Sequence, residues 1–322
     1  MIYRVVDRIP DLKFSLLGFG CWSLGNSSNW TNSNDESSIE AIKTAIEQGI
    51  NFFDTAPVYG FGTSEILLGR AIKGYSREKL IIASKCGLVW DDKHQTKNEL
   101  SESSIMNEID NSLNRLGVDY IDIYQLHWPD PNTPLDRVLS TMQKIIDNNK
   151  IRYIGFSNFC LSDIKQFSNN KKIVSFQGLY NVLEQNSNSY HNINLGYRMK
   201  DDILPFCKEM GLAVFPYSPL MQGLLTDSFN ISKIDSKDVR NANPNLKDKT
   251  YLDKVDKLKN YSKKIGVKLI ELAYGWLKYQ KAITSIISGA KSKEQVLSNI
   301  NALECDVIGE KEFNEINKIV EQ

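Results

Sequence analysis

The chain carries no surplus of charge: 39 Lys and Arg stand against 39 Asp and Glu in 322 residues. Without a basic excess there is no electrostatic grip on nucleic acid or an anionic membrane, and neither is expected as a partner. No apolar run approaches the roughly 18 residues of a bilayer span. The start, Met1-Ile-Tyr-Arg-Val-Val-Asp7, has no apolar core preceded by positive charge, so no secretory signal is expected. Cys21, Cys86, Cys160, Cys207 and Cys305 form no C-x-x-C pair and leave an odd one over. Small buried thiols in a reducing cytoplasm fit that usage better than disulfides or a metal centre, and no metal is expected. There is no G-x-S-x-G and no H-E-x-x-H, and the P-loop spacing at residues 69–74 has Tyr75 where lysine belongs. Asn29-Trp30-Thr31 and Asn260-Tyr261-Ser262 match glycosylation acceptors, read as chance matches in an Asn-rich cytoplasmic chain.

What is present is alternation. Strand-like apolar runs cover residues 16–22, 51–56, 80–85, 120–127, 152–157, 173–180, 212–217 and 285–290. Between them lie amphipathic stretches such as 37–48, 64–73, 104–116, 135–148, 162–169 and 201–210. Within 37–48, Ile39, Ile42, Ala45 and Ile46 recur at three to four and predict one apolar stripe against a sheet. Strands apolar over most of their length suit a parallel sheet covered by helices. Eight of them, each followed by helical sequence, predict a (β/α)₈ TIM barrel spanning 1–322 as a single domain. Residues 3–6 and 12–15, around Pro10-Asp11, predict an N-terminal β-hairpin before the first barrel strand. The rival, a doubly wound sheet, needs G-x-G-x-x-G opening a helix. Here Gly18-Phe-Gly20-Cys-Trp-Ser23 lacks the third glycine, and a polar loop over 26–34 follows. Regions 87–100, 184–199 and 222–249 show no regular pattern. Each follows a predicted strand, so all three should be long functional loops on the C-terminal barrel face.

Four ionisable residues sit at or just past strand ends: Asp54, Tyr59, Lys85 and His127. Any one of them has a plain structural reading, as a turn cap, a rim aromatic, a charge partner or a hydrogen-bonded core histidine. Together they make a kit for moving one proton. A lysine buried at a strand end needs a carboxylate, and Asp54 ends the neighbouring strand. Lys85 beside Tyr59 is then expected to lower the phenol pKa towards working pH. His127 would orient a carbonyl on the same oxygen. Proton delivery to an alkoxide is half of a carbonyl reduction; the hydride must come from a cofactor such as NAD(P)H.

The motifs Phe53-Asp54-Thr-Ala-Pro-Val-Tyr59-Gly60, Ser84-Lys85, Gln125-Leu-His127-Trp-Pro129, Gly155-Phe-Ser-Asn158, Tyr217-Ser-Pro-Leu220 and Gly289-Ala-Lys291 resemble those of the aldo-keto reductase superfamily, from Leu16 to Asn299. The resemblance implies a (β/α)₈ barrel and a catalytic tetrad at Asp54, Tyr59, Lys85 and His127. Tyr59 would be the general acid, and His127 would fix the carbonyl. It also implies NADP(H), extended across the barrel mouth beside Gly20. Ser157, Asn158 and Gln177 would bind the nicotinamide amide, and Tyr217 would stack on its ring. Ser218, Leu220, Gln222 and Gly223 would line the pyrophosphate. Gly289, Lys291, Gln295 and Asn299 would hold the adenosine end, and Arg240 would lie on a loop folding over it. Lys291 beside Ser292 favours NADP(H) over NAD(H), since a 2′-phosphate needs a cation and hydroxyl donors. Three departures from the family pattern stand out. Asn241, Ala242 and Asn243 replace a second arginine, Asp227 replaces a glycine, and Gly178 replaces a proline.

On the substrate side, Trp22, Trp90 and Trp128 come from three strand-end loops and are candidates for pocket walls or plain rim cover. Tyr190, His191 and Arg198, in a long polar stretch, are expected to recognise a polar, sugar-like or anionic substrate; a surface insert without a role is the other reading. The expected function is NADPH-dependent reduction of an aldehyde or ketone, with a small-molecule substrate and an oligomeric state that nothing in the sequence decides. The alternative is a cofactor-binding regulatory subunit resembling potassium-channel β-subunits. A non-redox barrel lyase lacks a phosphate-gripping glycine pair or metal ligands.

Overall fold

The computed structural model describes residues 1–25, 30 and 34–321. Asn29 and Thr31 of the first sequon, with most of the polar loop over 26–34, lie outside the described residues. All eight predicted strands form: β1 (Leu17–Gly20), β2 (Phe52–Asp54), β3 (Ile81–Cys86), β4 (Ile121–Leu126), β5 (Ile151–Ser157), β6 (Ile173–Leu179), β7 (Ala213–Tyr217) and β8 (Ile286–Gly289). They make one parallel sheet in the order β7-β6-β5-β4-β3-β2-β1-β8. The seam between β7 and β8 is spanned at Val214. Its carbonyl accepts from Thr284 N at 2.9 Å and its amide donates to Thr284 Oγ1 at 3.0 Å. The sheet is thereby nearly closed into a barrel.

Helices pack around it: α1 (Asp35–Glu47), α2 (Thr63–Ile72), α3 (Glu102–Leu116), α4 (Leu135–Asp147), α5 (Leu161–Gln166), α6 (Leu204–Met210), α7 (Lys249–Lys264), α8 (Leu269–Tyr279), α9 (Lys293–Glu304) and α10 (Glu310–Glu321). Helix α1 shows why the sequence takes this form. Asn34 caps it by accepting from Ser37 N at 2.8 Å, and Ala41, Ile42 and Ala45 are buried on its inner face. The helix predicted over 201–210 begins instead as a π-helical turn at Met199–Ile203, before α6.

Because strand side chains alternate, one face of every strand points into the barrel. That interior is filled by Phe52, Ala83, Ile123, Val174, Ala213, Phe215 and Ile287. The predicted hairpin forms, with Tyr3–Arg4 antiparallel to Phe14–Ser15. It plugs the lower end with Ile9, Leu12 and Phe14. Phe14 meets Phe52 edge-on at 5.3 Å, and Phe52 lies 4.5 Å from Phe215. The Arg4 guanidinium donates to the carbonyls of Lys278 (2.6 Å) and Gln280 (2.9 Å), tying the plug to the end of α8.

Two of the three patternless regions are partly ordered by pairing. Leu88–Trp90 pairs with Thr96–Asn98, and Ser189–Tyr190 pairs with Ile193–Asn194. The third, 222–249, is a strap of short 3₁₀ turns. Among the described residues, no helix is long and apolar enough to cross a membrane.

Candidate active site

The polar layer lies one pleat above the aromatic floor. Asp54 ends β2, Lys85 lies on β3, His127 follows β4, and Tyr59 sits in the turn leaving β2. Lys85 is fully buried. Its ammonium donates to Asp54 Oδ1 (2.9 Å) and Oδ2 (2.8 Å), to the Thr55 carbonyl (2.9 Å) and to the Tyr59 hydroxyl (3.1 Å). Asp54 Oδ1 accepts in addition from Gln125 Nε2 (3.0 Å) and Gln177 Nε2 (2.7 Å). A buried ion pair repays its desolvation only with such saturation. His127 packs edge-on against Tyr59 at 5.8 Å between ring centroids. Its amide donates to the Cys86 carbonyl (3.0 Å), and its carbonyl accepts from Asn158 Nδ2 (3.1 Å).

The electrostatics correct one expectation. The Tyr59 phenol is held well above its ordinary pKa, first by burial and then by the Asp54 carboxylate. The bidentate Asp54 carboxylate offsets Lys85 and itself raises the phenol, so the ammonium does not bring the resting pKa down. Burial lowers the Lys85 pKa, opposed by the charge and hydrogen bonds of Asp54. His127 is pushed well below the ordinary imidazole value by burial and then by Lys85, and is neutral. The site is a protonated phenol beside a neutral imidazole and a self-compensated ion pair. Its Tyr59 oxygen accepts from Lys85, which leaves the phenolic proton to be donated elsewhere.

These groups open onto a cavity of about 970 Å³. All fourteen residues expected along a cofactor line it: Gly20, Ser157, Asn158, Gln177, Tyr217, Ser218, Leu220, Gln222, Gly223, Arg240, Gly289, Lys291, Gln295 and Asn299. Several are already engaged. Gln177 donates to Asp54, while Asn158 Oδ1 accepts from the Tyr217 hydroxyl at 3.0 Å. At the far end Lys291 and Arg240 flank the Trp30 ring, at 5.0 Å and 5.5 Å from its centroid. Burial, and then Arg240, lower the Lys291 pKa to about 8. Arg240 is forked onto Asp238 at 2.7 Å and 2.9 Å. The family departures have local roles. Asp227 accepts from Leu269 N (3.2 Å) at the start of α8, and Asn243 donates to Gln222 Oε1 (3.0 Å). At Gly178 a Cβ would come within 2.8 Å of Phe176 and 3.0 Å of Met199.

Of the expected substrate residues, Trp22, Trp128, Tyr190 and His191 line the cavity. Trp90 does not; it stands behind Phe61, 5.7 Å from its ring. Arg198 does not either. Its exposed guanidinium pairs with Asp201 at 2.7 Å, one turn along the chain. Tyr190 and His191 sit at the tip of their hairpin, where His191 (φ 49°) and Asn192 (φ 63°) make a two-residue loop with positive φ at both positions. There Tyr190 hydrogen-bonds Ser218 Oγ (3.0 Å), and His191 Nε2 lies 2.7 Å from Gln222 Nε2. Both are thus bonded to the loop after β7. Sequence reasoning missed Gln125, Phe61, His94 and Trp30. Gln125 stands two residues before His127 on the inward face, a signal that was readable. His94 stacks on Phe61 at 4.0 Å through a hairpin that carries no apolar pattern.

The model of the Aldo/keto reductase family matches residues 16–321. The chain belongs to that family. It is 34% identical to "Aldo-keto reductase YhdN" of Bacillus subtilis over 95% of this chain and 90% of that one. It is 32% identical to the "NADH-specific methylglyoxal reductase" of Escherichia coli, over 92% and 94%. Among solved structures it resembles the glycerol dehydrogenase AKR11B4 of Gluconobacter oxydans, with a TM-score of 0.84 and 29% identity over 99% and 94% of the two chains. Aldo-keto reductases are oxidoreductases that use nicotinamide cofactors.

Proposed function

We propose that this aldo-keto reductase is a cytoplasmic, single-barrel enzyme that reduces an aldehyde or ketone to an alcohol with NADPH. The observation that carries the reading is the Tyr59 hydroxyl, 3.1 Å from a buried ammonium and exposed to the cavity beside His127. The residues present fit a dinucleotide: one cavity is lined by both Tyr59 and Lys291, with Arg240 and Lys291 meeting beside Trp30. When bound, the reduced nicotinamide supplies a hydride to the carbonyl carbon. As that carbon gains the hydride, charge builds on its oxygen, and Tyr59 donates its proton there to complete the alcohol. The phenolate left behind is stabilised by the Lys85 ammonium and regains its proton from solvent. Asp54 holds that ammonium in place through both oxygens. Neutral His127 can donate one hydrogen bond to the carbonyl without adding net charge.

For the cofactor choice, Lys291 and Arg240 converge on one ring, and Arg240 lowers the Lys291 pKa. Arg240 does so although it is forked onto Asp238, which opposes the shift; a 2′-phosphate dianion would favour the charged lysine further. Lys291→Met should therefore raise KM for NADPH roughly tenfold or more while barely moving that for NADH, in line with about 1.5–3 kcal/mol for a hydrogen bond to a charged group. The main test is single-turnover oxidation of bound NADPH by a reactive aldehyde. Turnover in the wild type and its loss in Tyr59→Phe are expected. Bound NADPH that never reacts would instead favour a cofactor-loaded regulatory module.

A further inference from the structure

The strap over 222–249 lines the cavity through Phe229, Lys233, Ile234 and Arg240, among others. Its middle is folded on itself. Asp238 accepts from the Arg240 amide and guanidinium, and Asn241 Nδ2 donates to the carbonyls of Asp235 (2.7 Å) and Asp238 (3.1 Å). Around its last turn, Pro244–Leu246, the strap reaches the barrel loops. Leu246 is buried, Asn243 donates to Gln222 Oε1 at 3.0 Å, and Asn245 Nδ2 donates to Glu184 Oε1 at 3.1 Å.

Glu184, in the loop after β6, is 1% exposed, and among the described residues no lysine or arginine pairs with it. Its partners are amides. Oε2 accepts from Asn181 Nδ2 at 2.9 Å, and the same Nδ2 donates to the Ser218 carbonyl at 3.0 Å. Asn181 Oδ1 in turn accepts from the backbone amides of Leu183 and Glu184, both at 2.9 Å. One carboxylate therefore joins the loops after β6 and β7 to the strap. Burial raises its pKa, opposed by the hydrogen bonds from Asn181 and Asn245. A buried carboxylate without a cation depends on hydrogen bonds to both oxygens. Lifting the strap would carry Asn245 away and leave Oε1 without its protein donor, so strap closure and satisfaction of the charge go together. Glu184 does not itself line the cavity, so it acts on what the cavity holds only through its neighbours.

Resting on the reading of the cavity as a nicotinamide dinucleotide site, we propose that Glu184 is a positioning residue for the strap: its carboxylate docks Asn245 and thereby sets how long NADPH is held. The tie is made through a neutral amide, so it can be cut from either side without placing a new charge in the mouth.

The experiment follows release of NADPH from the whole chain by stopped-flow fluorescence, with excess NADP⁺ as the chase. Glu184→Ala and Asn245→Ala should each speed release by about tenfold or more, as expected for loss of a hydrogen bond to a charged group. The double variant should be no faster than either single one, since each removes the same tie. Glu184→Gln can accept from Asn181 and donate to an inverted Asn245 amide, and should bring release back to within about threefold of the wild type. Asn245 is only half-buried, so its variant tests the tie even if Glu184→Ala does not fold. Unchanged release in Asn245→Ala, or acceleration in the double variant equal to the product of the two single effects, would overturn the proposal and leave the reductase reading intact. A wild type that binds no NADPH would sink the cofactor reading and the proposal with it.

Discussion

The two ends of the barrel are built from the same strands and differ by one pleat. On β2 the inward residues are Phe52 and then Asp54; on β3, Ala83 and then Lys85; on β4, Ile123 and then Gln125; on β7, Phe215 and then Tyr217. Two residues of strand, about 7 Å, separate a dry aromatic floor from an ionised layer. The floor keeps water from Lys85 below, so the pair above acts at low dielectric, where each fixed contact counts most.

Substitutions can break that comparison at either end. The largest effect belongs to Lys85→Met, which leaves the Asp54 carboxylate buried without its cation. Loss of about 3–5 kcal/mol of stability is expected, with kcat down roughly 1,000-fold, by chemical denaturation and steady-state kinetics. Adding Asp54→Leu should restore part of the stability and none of the activity, since the buried charge is gone but the Gln125 and Gln177 amides lose their acceptor. At the other end, Phe52→Ala should cost about 3–5 kcal/mol while the folded fraction keeps kcat within a few-fold. A proportionate loss of kcat would mean that the floor also positions the ion pair.

The smallest effect is a pH dependence. His191 has a folded pKa of about 4, below its ordinary 6.5, so below pH 6.5 the unfolded chain binds more protons than the folded one. Its contribution to stability is complete above pH 6.5 and is lost as pH falls through about 4. His191→Phe should therefore flatten the fall in melting temperature between those values, by a few degrees at pH 4.5.

The strands were legible because burial on both faces writes continuous apolar runs, and the tetrad was legible because ionisable residues interrupt those runs at their ends. The two hairpins over the mouth were not. Thr96–Asn98 is an exposed polar segment held by backbone pairing, and Ser189–Tyr190 is two residues long with Tyr190 alone packed inward, too little for a pattern. Arg198 was misplaced for a related reason: Asp201 lies close by in sequence, but only the π-helical turn shows that it takes the charge away from the mouth. The Tyr59 error was electrostatic. Charges can be counted along a chain, but whether a cation is cancelled depends on both carboxylate oxygens reaching it, which is a matter of ångströms.

The measurement that bears most directly on the site is the single-turnover rate of carbonyl reduction as a function of pH. A phenol held above its ordinary pKa and an imidazole held below its own remain in one protonation state across the neutral range. The rate should be flat from pH 7 to pH 9 and fall only beyond 10. A decline centred between pH 7 and 8 would contradict it, showing a phenol already ionising beside an uncancelled Lys85.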